Sequence, residues 1–126
     1  MIEERRLKGV WPAKFRERLE KGMPDIARPS VWRIILNSES DKKATKKMIS
    51  LMKTSMPLIG EQIDMDVLRE SRDHILFHTR YGRGQRALFQ VLWSLAANDQ
   101  ELGYCQGMSG IASVLLFQLD KTSSFI

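Results

Sequence analysis

Cysteine is nearly absent from this 126-residue chain, and the single Cys105 excludes both an internal disulfide framework and a cysteine-rich zinc site. Only two histidines, His74 and His78, accompany it, so a zinc-finger pattern is out of reach and no resident metal is expected. No apolar run approaches the ~18–20 residues of a membrane span, which excludes direct membrane insertion. The opening MIEERRLKGVW is charged where a signal peptide needs an apolar core, and it lacks the Gly after Met that myristoylation requires. A reducing, cytoplasmic setting is the expectation. Also missing are the G-x-x-x-x-G-K-[ST] phosphate loop, H-E-x-x-H and G-x-S-x-G. What is present, 43% hydrophobic and 28% charged residues, excludes disorder, and the length suits one domain.

Twenty Lys and Arg against fifteen Asp and Glu leave a net charge of +5, which favours an anionic partner without naming one. A nucleic-acid binder is disfavoured. No helix combines basic residues with amide and arginine side chains for groove reading, and no aromatics interleave with the lysines to stack single-stranded bases.

Apolar residues recur at spacings of three and four, with almost no alternation, so the fold class is all-α. A short helix is expected over 12–21, with Pro12 in its first turn and Gly22-Met23-Pro24 as its stop. A second begins near Arg28-Pro29-Ser30 and runs through Leu36. A third covers about 41–56 and is ended by Pro57 and Gly60, setting Ala44, Met48, Leu51 and Met52 on one face and Lys42, Lys43, Lys46, Lys47 and Lys53 mainly elsewhere. Those lysines read first as a solvated face, with a docking patch for an anionic surface as the alternative. Residues 58–82 read as a long connector, of the kind that is often functional. A buried helix follows over 83–98. The last, over about 104–119, is apolar around most of its circumference and is expected to be enclosed by neighbours.

Few residues stand out for chemistry. Cys105 reads as a buried structural thiol, and His74 and His78 as loop or packing histidines. In Ile63-Asp64-Met65-Asp66-Val67-Leu68-Arg69, the pair Asp66 and Arg69 at i, i+3 could be an ordinary ion pair. In Tyr104-Cys105-Gln106-Gly107-Met108, Gln106 could bond a free amide at a helix start, with Gly103 and Gly107 allowing close packing.

Taken in order, these segments resemble the TBC domain of Rab GTPase-activating proteins. The family pattern I-x-x-D-x-x-R is matched by Ile63, Asp66 and Arg69, and Y-x-Q-G-M by Tyr104, Gln106, Gly107 and Met108. A third segment is matched by Gly22-Met23-Pro24, Arg28 and Val31-Trp32, and further agreement lies at Gly84-Gln85, Ile111-Ala112 and Leu115-Leu116. The resemblance implies activation of a GTP-bound Rab in trans, with Arg69 as an arginine finger and Gln106 as a glutamine finger. Asp66, Tyr104 and Arg28 are then supporting residues. It implies no cofactor of the chain's own, since Mg-GTP is carried by the partner, and a cytoplasmic role reaching endomembranes through partners in vesicle trafficking.

Three positions depart from the family's habit: Glu70 where Thr is common after the arginine, Gln100 in place of a Pro, and Ser109 in place of an Asn. Glu70 could hold Arg69 back or repel phosphate if it pointed inward, which keeps open the alternative of a Rab-binding or regulatory module that does not accelerate hydrolysis. The resemblance also implies that residues 1–126 are the N-terminal part of a TBC domain whose C-terminal helices are absent from this chain; the apolar circumference of 104–119 and the interrupted Phe125-Ile126 add the expectation that the isolated chain is poorly stable or inactive.

Overall fold

The computed structural model describes residues 12–36 and 42–124, all of whose regular structure is helical. Contacts divide the chain into two units, Met1–Asn37 and Ser38–Ile126.

In the first unit, Pro12 supplies the extended residue ahead of α1 (Ala13–Glu20), whose Phe15 is buried. The helix ends through Lys21 into Gly22 at φ +98°, a left-handed conformation that glycine adopts without a Cβ penalty. Helix α2 (Arg28–Leu36) carries Pro29 in its first turn, where a missing N–H costs nothing. Arg28 clamps the preceding turn: its guanidinium pairs with Asp25 at 2.7 Å and donates to the Met23 carbonyl at 3.2 Å. Trp32 is half-buried.

The second unit holds α3 (Lys42–Leu51), α4 (Pro57–Arg69), α5 (Arg83–Asn98), α6 (Met108–Leu116) and a helical turn, α7 (Lys121–Ser124). Helix α5 is central, packing against all four others. Its Leu88, Val91, Leu92 and Ala96 are buried together with Met48 of α3, Ile63 and Val67 of α4, and Ala112 and Leu116 of α6. Phe89 stacks on Trp93 along the same helix, centroids 5.6 Å apart.

Four expectations need correction. The third helix stops at Leu51 and not near Met56; its expected start at Asp41 lies outside the described residues. The expected connector 58–82 is for half its length helix α4. Pro57 is a helix-start proline, and Gly60 is a packing residue: a Cβ there would lie 2.6 Å from Cζ3 of Trp93, so the glycine lets α4 approach α5 closely. The last long helix begins at Met108 and not Tyr104, because Gly107 sits at φ +96°. Finally, α6 is not enclosed: Ser109, Ala112, Ser113 and Leu116 are buried on one stripe while Ile111 is 70% exposed.

The true connector, 70–82, is held from beneath by Gln85. This buried amide donates from Nε2 to the Phe77 carbonyl at 2.8 Å and accepts the Tyr81 N–H at 2.7 Å. Phe77 is fully buried and meets Phe117 edge-on, while His74 lies against the same Phe117 ring, so His74 is a packing histidine. His78 is exposed. Gly84 permits the connector's descent onto α5, since a Cβ there would stand 2.0 Å from the Leu76 carbonyl oxygen. Gly84→Ala is therefore expected to destabilise the chain by about 3 kcal/mol, the upper range for overpacking a filled site. Urea denaturation measures it, and a midpoint equal to the parent's would contradict the close approach.

Candidate functional site

Arg69 is the last residue of α4. The Glu70 N–H closes the final turn on the Asp66 carbonyl at 3.0 Å, so Asp66 and Arg69 share a face one turn apart. Arg69 donates from Nη2 to Oδ1 of Asp66. From 38 residues further along, Tyr104 donates its hydroxyl to the other carboxylate oxygen, Oδ2, at 2.7 Å. The two sequence segments are thereby joined through one carboxylate with both oxygens engaged.

The burial is asymmetric. The Asp66 side chain is 10% exposed and that of Arg69 is 69% exposed. An exposed guanidinium contributes little to stability through an ion pair, so the value of this pair is orientational: Asp66 grips one edge of the guanidinium and leaves its remaining donors facing solvent. The hydrogen bond from Tyr104, then the hydrogen bond and the charge of Arg69, hold the Asp66 carboxyl below its ordinary range against the opposing effect of burial. Burial, then the hydrogen bond to Asp66, pushes the Tyr104 hydroxyl up to about 12.

Both shifts are stability statements with opposite windows. The depressed Asp66 contributes stability that is present above its ordinary pKa and lost as pH falls through the native one. The raised Tyr104 contributes stability that is present below pH ~10 and lost as pH rises toward about 12. Tyr104→Phe is expected to raise the Asp66 pKa and to cost about 1.5–3 kcal/mol, the range for a hydrogen bond to a charged group. Carboxyl-carbon NMR titration reads the first effect; an unmoved Asp66 would refute the link.

The turn that delivers Tyr104 is built locally. Asp99 Oδ1 accepts the Leu102 N–H at 3.1 Å, and Gly103 takes φ +62°. Gln106 follows, exposed, in the turn before α6, with no side-chain hydrogen bond among the described residues. It does not cap the helix, and a Cβ on Gly107 would meet nothing within 4 Å. Gly103 and Gly107 thus serve backbone conformation and not the close packing expected of them. Cys105 is exposed, contrary to the expectation of a buried thiol, because the turn aims it outward.

Glu70 turns toward α6. Its Oε1 accepts from Ser71 Oγ at 3.1 Å and lies 3.4 Å from Ser113 Oγ, whose one proton is shared between it and the nearer Gly110 O at 2.9 Å. It makes no ion pair with any described residue. Sequence reasoning missed Ser113, and nothing in its spacing signals it. Arg28, expected as a supporting residue, belongs to the first unit, where its partners are Asp25 and Met23. Among the described residues no group of three His, Cys, Asp or Glu could hold a metal, and no helix is long and apolar enough to cross a membrane.

The all-helical second unit ends α4 in Arg69 and opens α6 from the Tyr104–Gly107 turn, so the two segments that carry the resemblance to the TBC domain meet at one carboxylate. The sequence model of the Rab-GTPase-TBC domain matches residues 25–126, and the chain belongs to that family. It is similar to the TBC domain-containing protein C1778.09 of Schizosaccharomyces pombe, 39% identical over 107 residues, which is 84% of this chain and 26% of that protein. The chain thus spans about a quarter of that relative's length.

Proposed function

We propose that this chain accelerates GTP hydrolysis by a Rab-family GTPase, supplying Arg69 and Gln106 in trans to the partner's nucleotide site. The observation that carries this reading is the bridge Tyr104–Asp66–Arg69, which couples the arginine to the segment bearing the glutamine. Phosphoryl transfer spreads negative charge over the transferred group and the leaving oxygen, and catalysis of it is chiefly positioning and electrostatics. A guanidinium held along one edge by Asp66 presents its free donors to those oxygens without having to reorganise. Gln106, exposed and making no side-chain hydrogen bond among the described residues, can accept from the attacking water through its carbonyl and donate to a phosphate oxygen through its NH₂.

The chain brings no cofactor in this scheme: Mg-GTP belongs to the GTPase. Its action takes place in the cytoplasm on GTP-bound partners, and those partners connect it to vesicle trafficking. That Glu70 accepts from Ser71 and Ser113 while Arg69 pairs with Asp66 favours the accelerating reading over a non-catalytic Rab-binding module. Single-turnover GTP hydrolysis by a panel of Rab proteins tests it. Acceleration that depends on Arg69 and Gln106 supports it; binding without acceleration selects the non-catalytic module.

A further inference from the structure

Residues 42–60 contain five lysines and no Asp or Glu. Helix α3 is rotated so that Met48 is buried in the core, with Ala44 and Leu51 beside it half-buried. The opposite side carries the charge. Lys42, Lys46 and Ile49 fall at i, i+4 and i+7 on one exposed stripe, Lys43 and Lys47 lie on the neighbouring one, and Lys53 is exposed in the turn that follows. Lys47 also takes part in an interaction of its own.

Two features set this face apart from an ordinary solvated one. Ordinary surfaces intersperse both signs of charge, and this one has a single sign over two stripes. Furthermore, the helix has no acidic residue in its first turn, where Lys42 and Lys43 stand instead, against the positive end of the helix dipole. Folding alone gains nothing from lysines placed there.

We propose that this face of α3 docks the chain on a membrane surface rich in anionic phospholipid. Clusters of four to eight basic residues suffice for such attraction, and the lysines here fall within that range. A compact ammonium suits phosphate and carboxylate headgroups as a point charge. Ile49, 57% exposed within the charged stripe, adds an apolar contact that the interface accommodates and a nucleic-acid backbone does not. Because the apolar side of α3 is committed to the core, contact is peripheral, without insertion. This reading is independent of the proposed GTPase activation.

The test is co-sedimentation of the full chain with vesicles of phosphatidylcholine alone and of phosphatidylcholine mixed with phosphatidylserine, with duplex DNA as a third arm. Binding is expected only to the mixed vesicles, with release at ~1 M salt, where the screening length falls to roughly 3 Å. Each of Lys42→Gln, Lys43→Gln, Lys46→Gln and Lys53→Gln is expected to weaken vesicle binding about fivefold. The combined variant should melt no lower than the parent, since it removes cations from the helix start. If that variant fails to fold, Lys42→Gln with Lys43→Gln alone still decides, through a roughly 25-fold loss. Equal binding to neutral vesicles, no binding to the mixed ones, retention of DNA in their place, or undiminished binding by the folded variants would each overturn the proposal.

Discussion

Arg69→Ala is expected to lower the chain-stimulated rate of GTP hydrolysis by about 10³–10⁵, the contribution typical of an arginine finger and equivalent to roughly 4–7 kcal/mol of barrier. Arg69→Lys should recover little of this. Lysine keeps the charge but offers one compact donor group, which cannot both rest against Asp66 and bridge two phosphate oxygens. Neither change should move the melting temperature much, because the side chain is 69% exposed and the Tyr104–Asp66 hydrogen bond survives without it. The expected signature is therefore a large kinetic loss on an unaltered fold. Full stimulation by Arg69→Ala, measured in single turnovers with a responsive Rab protein, would remove Arg69 from the mechanism, and full stimulation by Arg69→Lys would refute the need for a bridging guanidinium.

Gln106→Ala is expected to cost about 10²–10³ in the same rate, the scale for removing one preorganised polar group from a transition state. Gln106→Glu should be at least as impaired, since a carboxylate beside the γ-phosphate adds repulsion where the amide donated. Both variants should fold as the parent does, Gln106 being exposed and making no side-chain hydrogen bond among the described residues. A Gln106→Ala chain as active as the parent would show that the GTPase positions its own water. If Arg69→Ala were inactive at the same time, the arginine alone would be the contribution in trans.

How far the site could be read in advance differs from residue to residue. Asp66 and Arg69 are legible because an i, i+3 relation is a local fact of helix geometry once a helix is granted. The helix itself was obscured by Pro57 and Gly60, residues that break helices in isolation. Proline at a first turn loses no hydrogen bond, and the cost of glycine is offset by the approach of Trp93 that it allows. Tyr104 stands out by its motif, but its partner does not, since no periodicity relates positions 38 residues apart. The apolar circumference of 104–119 suggested enclosure, yet apolar content does not say which stripe finds neighbours, and Ile111 stays largely exposed.

What the amino-acid order alone determined was therefore local in origin. The all-helical class followed from the three-and-four spacing, and the family followed from short motifs whose internal geometry a single turn dictates. Only tertiary packing decided that Tyr104 closes on Asp66, that Gln85 props the connector, and that Glu70 meets Ser113. The physical reason is the reach of each effect. Helix periodicity is a property of neighbours in the chain, whereas the orientation of a carboxylate depends on which distant helix brings a hydroxyl beside it.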